Sequence, residues 1–106
     1  EQLADHAFKK WGRLDLLIHN ASCFYPTPFG MVTHQHWEEL INSNFKAPLF
    51  LSQALEGELK RTQGHIIHIL DSNAQSAKPN YSVYNAAKAA LWNLTKTLAI
   101  ELAPHI

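Results

Sequence analysis

Residues 64–88 read G-H-I-I-H-I-L-D-S-N-A-Q-S-A-K-P-N-Y-S-V-Y-N-A-A-K. Gly64 opens the apolar, β-branched run His65 to Leu70, the composition of a buried strand, and Asp71 and Ser72 close it. From roughly Tyr81 to Ala103 apolar residues return at helical spacing until Pro104 halts them. A strand therefore feeds a long helix through a polar connection. Upstream the alternation repeats. Leu14 to Asn20 (L-D-L-L-I-H-N) is a second short buried strand, followed by a loop rich in Pro and Thr. From about His34 to Lys60, Trp37, Leu40, Ile41, Phe45, Leu49 and Leu55 recur at helical spacing behind Thr33 as N-cap. Glu1 to Trp11 forms an amphipathic helix with Leu3, Ala7 and Trp11 on one stripe, Ala4 and Phe8 beside it, and Gly12 as its stop. The order α-β-α-β-α implies an α/β fold: crossover units on a parallel sheet covered on both faces.

Composition bounds the function. The 106 residues carry no net charge with histidine neutral, and 46% are hydrophobic, which describes a globular segment with apolar mass for a core. Nine basic residues balance nine acidic ones without clustering, so no face for nucleic acid or anionic lipid can be drawn. No apolar stretch reaches the roughly 20 residues that span a bilayer. The single Cys23 has no partner within the chain and suits a reducing compartment, which makes the cytoplasm the expected location. The only methionine is Met31 and the first residues already belong to a helix, so the sequence is expected to be an internal segment of a larger domain.

In open parallel sheets ligands bind beyond the carboxyl ends of the strands. Here those ends carry Asn20-Ala21-Ser22 and Asp71-Ser72, and the helix that follows the second strand carries Tyr84 and Lys88. Positions i and i+4 share a helix face, so the Lys88 ammonium lies beside the Tyr84 phenol and favours its ionised form. A tyrosine so placed donates and accepts protons. The spacing alone is unspecific, because many helices carry such a surface pair. Asn44 interrupts the apolar stripe of the long helix, and Pro48, four residues on, has no amide hydrogen. Either the Asn44 carbonyl is freed to hold water or a side chain near the site, or the pair is a proline kink with a tolerated asparagine.

With H-N-A-S at 19–22, Asn44 and Tyr84-x-x-x-Lys88 in this order, the chain resembles the central part of a short-chain dehydrogenase/reductase. The resemblance covers essentially the whole sequence. It implies a Rossmann-like, doubly wound parallel sheet in a single NAD(P)-binding domain of about 250 residues. Residues 1–106 would then lack the N-terminal glycine-rich βαβ unit and the C-terminal substrate loop. None of Gly12, Gly30, Gly57 and Gly64 forms a phosphate-binding motif.

Most of that family has serine thirteen residues before the tyrosine, where this chain has Asp71. A serine hydroxyl donates to a ketone oxygen, whereas an ionised aspartate only accepts and repels an oxygen that is gaining negative charge. Asp71 suits a substrate that presents N–H, and it raises the affinity of Tyr84 for its proton, opposing Lys88. Together with N-A-S-C-F-Y-P-T-P at 20–28, this looks like the pteridine reductase branch, which reduces pterins and folates with NADPH. By that resemblance Asp71, Tyr84, Lys88 and Asn44 are catalytic: Tyr84 relays the proton, Asp71 positions it, Lys88 holds the nicotinamide ribose and Asn44 serves the relay through its carbonyl. Asn20, Ala21, Ser22, Tyr84 and Lys88 would bind the cofactor. Ser22, Phe24, Asp71, Tyr81 and Tyr84 would meet the pterin or folate, with Phe24 stacked on its ring.

Plainer readings stand beside these. Phe24 and Tyr25 could be loop anchors, and Asp71 could brace the following loop and leave Ser72 as the polarising hydroxyl of a carbonyl or 3-ketoacyl reductase. A non-catalytic scaffold is the third reading. His34 with His36, and His65 with His68, point to different faces, so no metal site is expected. Ala86, Ala87, Ala89 and Ala90 allow close helix packing. The resemblance implies a homodimer or homotetramer through the two long helices. The isolated segment is expected to be inactive and poorly stable.

Overall fold

A computed structural model describes residues 2–106. Helix α1 (Gln2–Trp11) precedes strand β1 (Leu16–His19), and α2 (His34–Ile41) runs through a π-helical segment (Asn42–Lys46) into α3 (Ala47–Thr62). Strand β2 (His65–His68), a 3₁₀ turn (Ser72–Ala74) and α4 (Ser82–Leu102) complete the order. The α-β-α-β-α pattern is the one that the periodicity predicts, with both strands shorter than the apolar runs that hold them. β1 and β2 pair in parallel, with Leu16 opposite His65 and His19 opposite His68. The arrangement is α/β and Rossmann-like.

One core lies between the sheet and α3. Leu55 and Leu59 are buried there with Ala4 of α1, and Leu14, Leu17, Leu51 and Ile66 pack around them. The strand alternation that turns Leu17 and Ile66 inward turns Leu16, Ile18, Ile67 and Ile69 to the other face, where they are 44–51% exposed. Among the described residues nothing covers that face. The junction between α3 and β2 is tight. Gln63 is left-handed (φ +52°) and Gly64 follows. A Cβ on Gly64 would stand 2.6 Å from the Asp15 carbonyl oxygen and 2.9 Å from Leu59.

A second cluster joins Leu40 of α2 to Val83 and Tyr84 of α4, with Cys23, Tyr25, Ile41 and Tyr81 around it. Ala87 is wholly buried, as close helix packing requires. Thr33 caps α2 in a reciprocal capping box: its hydroxyl accepts from the His36 amide, and its own amide donates to His36 Nδ1. Two expectations change. Leu3 and Trp11 are 66% and 68% exposed, because α1 buries chiefly its Ala4 side, and Trp37 of α2 is 54% exposed. The disturbance signalled by Asn44 and Pro48 is a π-helical segment. The Ala47 amide reaches back five residues to the Asn42 carbonyl, a π turn, and Pro48 follows at the start of α3.

Candidate active site

The π turn decides which groups face the end of β1. Backbone amides that reach back five residues leave carbonyls of the preceding turn short of donors. Side chains of the segment reach back to that turn as well: Ser43 Oγ donates to the Glu39 carbonyl at 2.8 Å, and Asn44 Nδ2 to the Leu40 carbonyl at 2.9 Å. Asn44 is 1% exposed and turns its amide towards the loop after β1. Its Nδ2 also donates to the Cys23 carbonyl at 3.0 Å, and its Oδ1 accepts from Ser22 Oγ at 2.7 Å. The Asn44 side chain thus ties the π segment to the loop after β1. Asn20, Ala21 and Ser22 are exposed along the edge where β1 stops.

Asp71, just beyond β2, uses both carboxylate oxygens. Oδ1 accepts from the Asn73 amide at 2.9 Å and so caps the 3₁₀ turn, and Oδ2 accepts from the Tyr84 hydroxyl at 2.7 Å. Bracing the loop and meeting the tyrosine are thus one arrangement. The Asn73 amide first, and then the Tyr84 hydroxyl, hold the Asp71 carboxyl below the usual carboxylate range. Tyr84 is buried, and that burial, reinforced by the Asp71 hydrogen bond and charge, drives its phenol pKa upward. The Ser72 hydroxyl is exposed and donates to Asp71 Oδ1 at 3.4 Å.

Lys88 behaves differently from the expectation drawn from spacing. Its ammonium donates to the Ile69 carbonyl at 3.0 Å and lies 5.9 Å from the centre of the Tyr84 ring, over its face instead of at its hydroxyl. Burial pulls its pKa down, and the Asp71 charge opposes this. The carboxylate touches the phenol directly and the ammonium does not, so Tyr84 keeps its proton. The site holds a protonated tyrosine on an ionised aspartate with a buried amine beneath the ring.

Phe24 forms the outer wall. Its ring stacks on Tyr81 (centroids 4.9 Å apart, 5° between planes) and meets Tyr84 edge-on at 4.8 Å. The loop that carries it is pinned further on, where buried Thr27 bridges to Tyr81 and its amide donates to the Asn80 carbonyl at 2.7 Å. Ser22, Phe24, Asn44, Asp71, Tyr81, Tyr84 and Lys88 are thus gathered at one edge of the sheet, with Asn20 and Ala21 on its rim.

Sequence reasoning missed a pair of histidines beneath this edge. His19 and His68 end their strands opposite one another, with ring centroids 4.9 Å apart. His19 Nε2 bonds Ser52 Oγ at 2.9 Å and His68 Nδ1 bonds Thr95 Oγ1 at 2.7 Å. The Thr95 hydroxyl already gives its proton to the Leu91 carbonyl, so His68 Nδ1 is the donor, and its buried Nε2 is left as an acceptor without a partner. Burial first, and then the neighbouring His68, lower the His19 pKa to about 4. Among the described residues no group of three or more His, Cys, Asp or Glu is arranged to hold a metal ion. No described helix is long and apolar enough to cross a membrane.

Comparison with known proteins places this geometry. The family model described as "short chain dehydrogenase" matches residues 1–106. Dehydrogenase/reductase SDR family member 4 of Homo sapiens is 39% identical over 108 residues, covering 99% of this chain and 38% of that relative. L-xylulose reductase of Mesocricetus auratus is 35% identical (98% of this chain, 43% of the relative), and pteridine reductase 1 of Leishmania tarentolae is 33% identical (95% and 42%). The chain thus spans about two fifths of the length of these relatives. Among solved structures, an apo SCOR enzyme from Clostridium thermocellum superposes with a TM-score of 0.93 at 28% identity, over 98% of this chain and 43% of that one.

Proposed function

The chain belongs to the short chain dehydrogenase family, and from that premise we propose that the complete protein is an NADPH-dependent reductase of C=N bonds in pterins, dihydropterins or dihydrofolate. The observation that carries this reading is the 2.7 Å hydrogen bond from the Tyr84 hydroxyl to Asp71 Oδ2. A carboxylate held ionised at this point repels a ketone oxygen that gains charge, but accepts readily from a ring N–H or an exocyclic amine. Kept protonated, Tyr84 is the acid that supplies a proton to the ring nitrogen as the adjacent carbon is reduced. One of the relatives is itself named a pteridine reductase.

The residues present fit the nicotinamide end of the cofactor. The Lys88 ammonium spends one N–H on Ile69 and has two more donors for ribose hydroxyls. Asn20, Ala21 and Ser22 offer polar and small groups along the same open edge. The reduced nicotinamide, when bound, supplies the hydride. Phe24, stacked on Tyr81 with its ring 58% exposed, offers a flat apolar face to a fused heterocycle. In this reading residues 1–106 are the central part of a single nucleotide-binding domain of a cytoplasmic protein. Residues outside them would hold the adenine half of the cofactor. Copies would associate through α3 and α4, where Phe50 and Ile100 are exposed.

A second reading, reduction of a carbonyl, is favoured by the L-xylulose reductase match and by the exposed Ser72 hydroxyl. The two separate in one experiment on the complete protein. NADPH oxidation with dihydropterin or dihydrofolate should be lost in Tyr84→Phe and weakened in Asp71→Ser. No turnover of either substrate by the intact protein sinks the pterin reading. Ketone reduction that survives Asp71→Ser and is lost in Ser72→Ala establishes the other.

A further inference from the structure

The loop that carries Phe24 is held at Cys23 by two successive side chains. The Cys23 amide donates to Ser43 Oγ at 3.2 Å, and the Cys23 carbonyl accepts from Asn44 Nδ2 at 3.0 Å. Ser43 Oγ passes its own proton to the Glu39 carbonyl at 2.8 Å, so it faces Cys23 purely as an acceptor. Asn44 Nδ2 also contacts Ser43 Oγ at 3.2 Å, which ties the two side chains into one network. In an α-helix, neighbouring residues point about 100° apart, and two in succession seldom serve one loop. The π turn brings both to the same strand end.

We propose that Ser43 is a positioning residue: its hydroxyl fixes the Cys23 backbone and thereby sets Phe24 against Tyr81 and edge-on to Tyr84. Without that acceptor the Cys23 amide loses its partner, and the Asn44 contacts that remain, to Ser22 Oγ and the Cys23 carbonyl, leave the peptide between Ser22 and Cys23 free to rotate. Phe24 follows Cys23 directly, so a shift of that peptide moves the ring away from the hydroxyl that Asp71 holds. The role of Ser43 in substrate binding rests on the reductase reading above. Its grip on the loop does not.

The test uses the complete protein, its Ser43→Ala variant and its Ser43→Thr variant, which keeps the hydroxyl. Hydrogen exchange at the Cys23 amide should quicken about tenfold in Ser43→Ala, the loss of one hydrogen bond, and return in Ser43→Thr. With NADPH and dihydropterin, Ser43→Ala should raise KM about tenfold for the same reason and change kcat much less, again with rescue by threonine. Unchanged exchange at Cys23 overturns the proposal, and so does faster exchange with KM and kcat both unmoved in an active enzyme. If the wild-type protein turns over no dihydropterin, the pterin reading fails on its own, and the exchange rates still decide whether Ser43 holds the loop.

Discussion

His19 should make the fold acid-labile over a defined range. The perturbation is acidification from pH 7.5 to 4, compared between the wild type and His19→Gln, whose amide can still reach Ser52 but does not titrate. The imidazole's ordinary pKa is 6.5, and in the folded chain it falls to about 4, first through burial and then through the neighbouring His68. Above pH 6.5 both folded and unfolded forms are neutral and the group contributes nothing that varies. Below it the unfolded chain takes up a proton that the native state refuses, so stability falls, and it stops falling once pH drops below 4. At about 1.4 kcal/mol for each tenfold difference in proton affinity, the loss across that window is about 3 kcal/mol. The named partners of the pair, Ser52 and Thr95, are hydroxyls and hold no charge against the incoming proton. Denaturant unfolding of the complete protein at a series of pH values measures it. The wild type should lose about 3 kcal/mol more than His19→Gln between pH 6.5 and 4, and parallel curves for the two proteins would refute the burial argument.

Two further outcomes follow from packing and charge. Gly64→Ala places a methyl group 2.6 Å from a backbone oxygen that cannot move without parting β1 from β2. It should cost about 1–3 kcal/mol, read as a lower melting temperature. Asp71→Asn keeps an acceptor for Tyr84 but removes the charge, so the phenol should ionise at lower pH in an ultraviolet titration. An unmoved titration would assign the whole shift to burial.

The element order was legible because it rests on local periodicity: the apolar runs at 14–20 and 65–70 and the helical stripe from Tyr81 announce themselves within a few residues of chain. The pairing of Asp71 with Tyr84 was legible for a different reason. It came through the family resemblance, which sets the residue thirteen before the tyrosine beside it, and not from any local pattern. The π turn was hidden, since Asn44 and Pro48 suggest a disturbance but not its kind. The five-residue reach goes with the side-chain donors that Ser43 and Asn44 bring, one of which, Asn44 Nδ2, also reaches the Cys23 carbonyl in a loop 21 residues away. The histidine pair was hidden by register. His19 and His68 meet only because two strands separated by a whole helix align end to end. Lys88 was misjudged because spacing gives the face of a helix and not the reach of a side chain, which here ends on the Ile69 carbonyl.

The register that sets His19 opposite His68 also bears on the order of folding. Partners in the β1–β2 ladder stand 49 residues apart, while the hydrogen bonds around Asn44 and Asp71 close loops of only about 13–22 residues. Loop closure is entropically dearer for the longer span, so the site's own short-range bonds close at lower cost than the ladder that brings the two strand ends together. The edge on which Tyr84, Asp71 and Ser22 converge comes into being only when the distant strands align.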